Sequence, residues 1–307
     1  MACFLALIVF SIMGIFSATH RALALEAFQC VFRKITLRPC NTDFKEKIKG
    51  QLVGKVLGKS IFLAKLLNKH FELFSWAFSI LMIISTVWVI RGGVNFYLYG
   101  SCSGLNQASF CAFDPTGENN KISTVNNGAC PAVQPNEKNL TLQKVNLDTF
   151  PRKNRGARNK VVFIGCYSCD YSRKAYLEFQ ELMAGNSADF TFVHYPVKNV
   201  TKPLSALAYC AYQRNQNTFW SLNEALFKAP KERLSDPAFI DGLVSGFGFN
   251  LDKMHQCTAS KETWDIVDRQ MAEIQKTNFY GTPTIFINGS ALVGPKPSRV
   301  YERLLSD

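Results

Sequence analysis

Residues 161–176 read VVFIGCYSCDYSRKAY and contain the feature that most constrains the fold of this 307-residue chain. The short apolar run predicts a buried strand, and the segment after it is typical of a helix. Between them stand two cysteines separated by two residues, Cys166 and Cys169. Such a CxxC pair occurs in zinc sites, in dithiol redox centres and in structural disulfides. Its surroundings must therefore decide its chemistry.

The predicted position of this pair favours redox chemistry. Cys166 falls where the strand ends and the helix begins, and there unpaired backbone N–H groups and the helix dipole stabilise a thiolate. Cys169 follows one turn later, within reach of a mixed disulfide on Cys166. A zinc site would require a second CxxC or paired histidines, and Cys210 and Cys257 are 47 residues apart. A dithiol pair is the preferred interpretation, and a structural disulfide or a metal site are the alternatives.

The second half of the chain reads as an α/β domain. In order, the pattern predicts strand 160–165, helix 166–184, strand 189–197, a helical stretch over about 203–278, strand 284–288 and helix 299–305. This order predicts a mixed α/β fold with an inserted helical subdomain. Pro283 immediately precedes the last strand, and its peptide bond with Thr282 could be cis. His194, inside the second strand, is interpreted as a packed residue rather than a catalyst.

The positive charge of the chain is concentrated in one segment. Of a net charge of +12, residues 20–71 carry +8, since eleven Lys and Arg stand against three Asp and Glu. Nucleic acid would attract these side chains, but no aromatic-and-basic recognition motif accompanies them. The pattern over residues 44–71 instead predicts a basic amphipathic helix on an anionic membrane surface. We therefore expect membrane lipids, and not nucleic acid, as the partner of this segment.

Two uncharged runs predict membrane spans, residues 1–19 and 73–90. The first is about 28 Å long as a helix, close to the thickness of a hydrocarbon core. The second has Trp76 and Trp88 near its ends, where indole rings favour the membrane interface. A cleaved signal peptide is the alternative for the first run, and a buried soluble helix for the second. The positive-inside rule places residues 20–71 in the cytoplasm and everything after residue 91 outside.

Residues from about 140 to 305 resemble the DsbA-like thiol–disulfide oxidoreductases of the thioredoxin superfamily. The resemblance rests on a CxxC after the first core strand, a helical insertion after the second, and the run Gly-Thr-Pro-Thr-Ile-Phe-Ile-Asn-Gly at residues 281–289. It covers slightly more than half of the chain and excludes the first 100 residues. It implies a thioredoxin-like fold and an exchange of disulfides with other proteins.

The resemblance also implies roles for individual residues. Cys166 is expected to be the exposed nucleophile and Cys169 the buried resolving thiol of a redox-active disulfide. Pro283 is expected to be a cis-proline beside the site, and the backbone of Thr282 to bind an extended substrate strand. The dipeptide Tyr167-Ser168 replaces the Pro-His of strongly oxidising relatives, which argues for a milder potential. An oxidase, an isomerase and a reductase all remain compatible with these residues.

The remaining cysteines are candidates for structural disulfides. Cys102 and Cys111 are close enough in sequence to form a disulfide in an oxidising compartment, and Cys130 is then left over, but sequence alone does not give the connectivity. Cys210 and Cys257 both lie in the helical insertion and could form a second structural disulfide, which some relatives possess. Cys30 and Cys40 lie in the predicted cytoplasmic segment, where reduced thiols are expected.

These observations predict a membrane-anchored thiol–disulfide oxidoreductase. Its parts are a membrane anchor over residues 1–91, an extracytoplasmic linker over 92–138 and a DsbA-like thioredoxin domain over 139–307. We expect it to act on thiols and disulfides of secreted or membrane proteins, with no metal and no organic cofactor. A separate redox partner must then reset the CxxC pair. The rival prediction is a non-catalytic binding module with a thioredoxin-like groove and a purely structural CxxC.

Overall fold

The computed structural model describes residues 60–306, with gaps at 108, 125–139, 186–187 and 198, and a few positions between residues 25 and 58. The chain divides into two compact units, residues 1–91 and 92–307. The first predicted span and the cysteines Cys30, Cys40 and Cys130 lie outside the described residues. The domain boundaries given above stay predictions.

Two consecutive helices form most of the described part of the first unit. They are α1 (Ile61–Lys69) and the beginning of α2 (Phe71–Tyr99). The stretch Trp76–Tyr99 of α2, 24 residues long, is the one helix among the described residues that is long and apolar enough to cross a membrane. At about 1.5 Å per residue it reaches roughly 36 Å, more than the hydrocarbon thickness of about 30 Å. Length and composition thus fit one span, and the pair of spans stays a prediction.

A five-stranded sheet forms the centre of the second unit. Its strands are β2 (Arg152–Lys153), β3 (Asn159–Gly165), β4 (Ala188–His194), β6 (Thr284–Ile287) and β7 (Ser290–Val293), in the order β2-β4-β3-β6-β7. Strands β3 and β4 are parallel, and the other pairs are antiparallel. Helix α3 (Asp170–Gly185) makes the crossover between the parallel pair, as parallel strands require. A separate two-stranded sheet joins β1 (Ser123–Thr124) to β5 (Gly281–Thr282).

A block of helices is inserted between β4 and β5. It comprises α4 (Pro203–Arg214), α5 (Gln216–Lys228), α6 (Pro237–Gly246), α7 (Leu251–Ala259) and α8 (Lys261–Gln275), and α9 (Ser298–Ser306) ends the chain. The starts of α5 to α8 follow from their N-cap residues, whose side chains accept backbone N–H groups of the first turn: Asn215, Asp236, Asn250 and Ser260. The inserted helical subdomain and the mixed α/β fold are therefore as predicted.

Apolar side chains cover both faces of the sheet. Phe163 and Phe192 project from one face against the helix residues Tyr176 and Phe227, in a cluster of ring contacts. On the opposite face, alternate strand residues such as Ile164 pack in a second cluster, which also contains Val162, Phe150, Ile274, Phe279 and Phe286. Each fully buried side chain of this size contributes about 1.5–3 kcal/mol. This two-sided core fixes the end of β3, where the CxxC begins.

Two element boundaries differ by several residues from the sequence prediction, and one strand is absent from it. The first helix begins at Asp170 and not at Cys166, because residues 166–169 form a turn in which the Cys169 N–H donates to the Cys166 carbonyl at 3.1 Å. The second strand ends at His194, two residues before Pro196, which cannot donate to a sheet ladder. Asn288-Gly289, with φ of 49° and 88°, is a hairpin turn that leads into β7, a strand the sequence analysis missed.

Candidate active site

The CxxC pair occupies the turn between β3 and α3. Strand β3 ends at Gly165 and helix α3 begins at Asp170, so all four residues of the CxxC lie between regular elements. Both sulfurs are free thiols. The Cys169 carbonyl accepts the N–H of Arg173 at 2.9 Å, which makes Cys169 the residue that introduces the helix.

The expectation of an exposed nucleophile is wrong for the described structure. Cys166 is 0% exposed and Cys169 is 4% exposed. The Cys166 sulfur lies 3.3 Å from the Ser168 hydroxyl and 3.6 Å from the Thr201 hydroxyl. The physical reason is the orientation of Tyr167, the residue that follows Cys166. Its side chain is fully buried, so the turn packs against the core.

Tyr167 is held in the core by a chain of hydrogen bonds. Its hydroxyl donates to Asn223 Oδ1 at 2.6 Å, and Asn223 Nδ2 donates to the Tyr176 hydroxyl at 2.6 Å. Gln180 Nε2 also donates to the Tyr176 hydroxyl, at 2.7 Å. Burial raises the pKa of Tyr167 well above its usual value, so this hydroxyl stays protonated and keeps its role as donor. The backbone is fixed as well, since Arg173 Nη1 donates to the Tyr167 carbonyl at 2.9 Å.

The sulfur of Cys169 is the one that faces the start of α3. The Ser172 N–H donates to Cys169 Sγ at 3.4 Å. The sequence analysis assigned this position to Cys166, and the assignment shifts because the helix starts four residues later than predicted. The stabilising effect of unpaired N–H groups at a helix start therefore acts on the second cysteine.

Residues near the end of the chain complete the surroundings of Cys169. The Thr282 carbonyl accepts a hydrogen bond from Cys169 Sγ at 3.4 Å, and the peptide bond that follows, Thr282–Pro283, is cis. Thr282 is fully buried. The structure thus brings together Cys166, Cys169 and Thr282, which the sequence assigned to one site, with Pro283 directly attached.

Strand β1 supplies one further contact with Cys169. Ser123 pairs with Thr282 in the antiparallel ladder, and its hydroxyl lies 3.0 Å from Cys169 Sγ. The edge of β5 that the resemblance assigns to a substrate strand is therefore occupied by the chain itself. Gly281 permits this close approach, because a Cβ atom there would lie 2.6 Å from Ile122 Cδ1 and 3.0 Å from the Ser123 carbonyl oxygen.

His194 lies beneath the CxxC turn, at the end of β4. Its ring stacks on Tyr167 with 4.2 Å between ring centroids, and its Nε2 donates to the Thr201 carbonyl at 3.0 Å. Burial lowers the pKa of His194 to about 4, so the ring is neutral at neutral pH. These contacts fit the interpretation of His194 as a packed strand residue.

Four other cysteines that the structure describes form disulfides. Cys102 is bonded to Cys111, and Cys210 of α4 is bonded to Cys257 of α7. Among the residues that the structure describes, no group of three or more His, Cys, Asp or Glu side chains lies close enough together to hold a metal ion.

Sequence reasoning missed three residues that contact the two cysteines, namely Ser123, Ser172 and Thr201. Ser172 could have been found from its position three residues after Cys169, the spacing of an N-cap contact. Ser123 and Thr201 have no such signal, because long-range packing alone brings them to the site.

Several solved structures are similar to this chain. A thioredoxin-like oxidoreductase from Silicibacter pomeroyi is 20% identical with a TM-score of 0.46, and the match covers 52% of this chain and 91% of that one. The thiol-disulfide exchange protein alpha-DsbA2 from Wolbachia pipientis is 17% identical with a TM-score of 0.44, over 52% and 86% of the two chains. Oxidised BdbD from Bacillus subtilis is 19% identical with a TM-score of 0.44, over 53% and 96%.

A search of curated proteins gives no match to this chain. A family model does match, under the description "Thioredoxin", over residues 154–307, which is half of the 307 residues. The matched region contains the CxxC turn, the five-stranded sheet from β3 onward and the cis-proline. The chain therefore belongs to the thioredoxin family.

Proposed function

We propose that this chain is a membrane-anchored thiol–disulfide oxidoreductase that exchanges disulfides with secreted or membrane proteins through Cys166 and Cys169. The observation that carries the proposal is the pair of free thiols at the end of β3, with Cys169 hydrogen-bonded to the carbonyl that precedes a cis-proline. The family match supports the same chemistry.

The exchange proceeds through a mixed disulfide on Cys166. When the pair is oxidised, a substrate thiolate attacks Cys166 Sγ, the bond to Cys169 breaks, and Cys169 leaves as a thiolate. A second substrate thiolate then attacks the mixed disulfide and releases Cys166. Two electrons and two protons pass from the substrate dithiol to the pair, and reduction of a substrate disulfide is the reverse. A separate redox partner resets the pair after each cycle.

Access to Cys166 requires a local opening of the site. Its sulfur is fully buried, and a thiolate attack needs an approach along the disulfide axis. The hydroxyls in contact with its sulfur are those of Ser168, within the turn, and of Thr201, outside it, so an opening has to separate Cys166 from Thr201. This burial is also the observation that favours the second candidate, a binding module whose CxxC is closed to substrates.

The proposed location is the cell membrane, with the thioredoxin domain on the extracytoplasmic side. The apolar helix Trp76–Tyr99 and the basic segment before it support this arrangement. Extraction of membranes with alkaline carbonate tests the anchor, and release of the chain into the supernatant would refute it. A membrane-impermeant thiol reagent applied to intact cells after reduction tests the side on which the domain lies, since the thiols of the two opened disulfides can then react. A chain that is labelled only after the cells are lysed would refute this placement.

An exchange assay on the purified chain separates the enzyme from the binding module. Reduction of insulin and repair of a scrambled disulfide substrate are expected for the wild type and lost in Cys166→Ser. The double variant Cys102→Ala/Cys111→Ala keeps the CxxC turn and is the matched control, with activity retained. An inactive wild type would favour the binding module. The equilibrium of the pair with glutathione then distinguishes an oxidase from a reductase.

A further inference from the structure

We infer that Ser123, which lies outside the region matched by the family model, is a functional residue of the redox site. Its hydroxyl is 3.0 Å from Cys169 Sγ. The inference rests on the proposed function, since it assigns Ser123 the role of stabilising Cys169 as a thiolate during exchange.

Backbone pairing fixes Ser123 against the site. In the ladder between β1 and β5, Ser123 lies opposite Thr282 and Thr124 opposite Gly281. The absence of a side chain at Gly281 lets β1 come close, because the Ser123 carbonyl oxygen would be only 3.0 Å from a Cβ atom there. Ser123 therefore does not reach the sulfur as a freely rotating surface side chain; its backbone position is set by β5.

The segment that precedes β1 is also anchored. Lys296 is 1% exposed, and its ammonium donates to the Asn119 carbonyl at 2.9 Å and to the Asn120 side chain. Asp114 accepts the N–H groups of Glu118 and Asn119, each at 3.1 Å. These contacts restrict the path of the chain into β1 and so reduce the entropic cost of placing the Ser123 hydroxyl.

The hydrogen bonds of Cys169 show what Ser123 contributes. In the thiol state, Cys169 S–H donates to the Thr282 carbonyl. Once the proton is lost, a carbonyl cannot donate to the sulfur. Among the described residues, the remaining groups within hydrogen-bond distance that can donate are the Ser172 N–H at 3.4 Å and the Ser123 hydroxyl at 3.0 Å. Ser123 thus supplies one of two donors to the thiolate.

The thiolate of Cys169 occurs in both directions of exchange. When the Cys166–Cys169 bond breaks, its electron pair passes to Cys169 Sγ, and when a mixed disulfide on Cys166 is resolved, the Cys169 thiolate attacks. A hydrogen bond to an ionised group is worth more than one between neutral groups. Loss of the Ser123 hydroxyl should therefore slow the opening of the disulfide, the step in which Cys169 is the leaving group.

The test is the rate at which the full chain exchanges with reduced and oxidised glutathione. Ser123→Ala should slow opening of the disulfide by reduced glutathione by about tenfold, from the strength of one charge-assisted hydrogen bond to the leaving Cys169 thiolate. Ser123→Thr keeps the hydroxyl and should restore the rate. Ser109→Ala, at an exposed serine of the same segment, is the matched control and should match the wild type.

A cross-link tests the placement of Ser123 independently of activity. In the full chain with Ser123→Cys and Cys166→Ser, mild oxidation should join the introduced thiol to Cys169, and mass spectrometry of the digest should detect the linked peptides. Failure to form this disulfide would overturn the inference. The distance of 3.0 Å between the present side-chain atoms makes the bond geometrically accessible.

The outcomes separate this inference from the proposed function. If the wild-type pair exchanges with glutathione and Ser123→Ala exchanges equally fast, Ser123 has no role in the chemistry and the inference fails alone. If the wild-type pair does not exchange at all, the proposed function fails. Slow exchange in Ser123→Ala that Ser123→Thr restores, together with the cross-link, supports the inference.

Discussion

Replacing Tyr167 with Phe tests how the CxxC turn is anchored. The substitution removes one oxygen atom and keeps the ring that packs against His194 and Phe227. The lost group donates to Asn223 Oδ1 at 2.6 Å, and both residues are fully buried. The variant therefore leaves a buried carbonyl oxygen without this donor.

The expected cost follows from that unpaired acceptor. A buried polar group that loses its partner lowers the free energy of unfolding by about 1–3 kcal/mol. With a urea dependence of roughly 2 kcal/mol per molar, a loss of about 2 kcal/mol moves the midpoint down by about 1 M. Equilibrium unfolding in urea, followed by tryptophan fluorescence of the reduced chain, measures this shift.

A second tyrosine near the turn provides the control. Tyr171 lies on the first turn of α3 and is only half-buried, and its hydroxyl has no hydrogen bond within the described part of the chain. Tyr171→Phe should change the free energy of unfolding by less than about 0.5 kcal/mol. If Tyr167→Phe is equally neutral, Tyr167 does not donate to Asn223, and the account of the buried turn is wrong.

Three further predictions follow from other parts of the structure. Burial lowers the pKa of His194 to about 4, below the value of about 6.5 expected in the unfolded chain, so the unfolded chain is protonated first as the pH falls. The free energy of unfolding should therefore be highest above about pH 6.5 and decrease by about 3 kcal/mol towards pH 4, which urea midpoints measure. Replacing Cys210 and Cys257 with Ala opens a loop with a sequence separation of 47 and should lower the free energy of unfolding by about 4 kcal/mol. Gly281→Ala should displace Ile122 and separate β1 from β5. The backbone amides around residue 122 should then exchange their hydrogens faster than in the wild type.

Each of these predictions has a control and a result that contradicts it. His194→Gln should remove the pH-dependent loss, and an unchanged profile would mean that another group titrates. The double variant Cys102→Ala/Cys111→Ala opens a loop with a sequence separation of only 9 and should lower the free energy of unfolding by about 2.6 kcal/mol. A decrease as large as that of the Cys210 and Cys257 variant, or larger, would contradict the dependence on loop length. Gly242→Ala, where a Cβ atom meets nothing within 4 Å, should leave β1 unaffected. Unchanged exchange at β1 in Gly281→Ala would refute the close approach.

The sequence was sufficient for the features that rest on local patterns. The apolar run before Cys166 predicted the buried strand β3, and the long helical stretch predicted the insertion. Both signals depend on hydrophobic periodicity, which reflects burial in any compact fold. The mixed α/β fold of the thioredoxin type is confirmed by these elements and by the family match.

What the sequence could not provide depends on contacts between distant residues. Cys166 is buried beside Tyr167, whose inward-facing hydroxyl donates to Asn223, 56 residues later. The contact between Ser123 and Cys169 spans 46 residues and arises from a ladder of only two residues. Such a short strand in a polar segment has no periodicity that a sequence could reveal.

The pairing of β1 with β5 has a consequence for how the domain is dissected. A fragment that starts at residue 139 or 154 matches the predicted domain or the family region, but it lacks Ser123 and its strand. The backbone of Gly281 and Thr282 would then present an open edge to which any extended peptide can add. Such a fragment would have a Cys169 with one hydrogen-bond donor fewer and a strand edge that the native chain does not expose. Its preferences among substrates would therefore reflect the truncation rather than the protein.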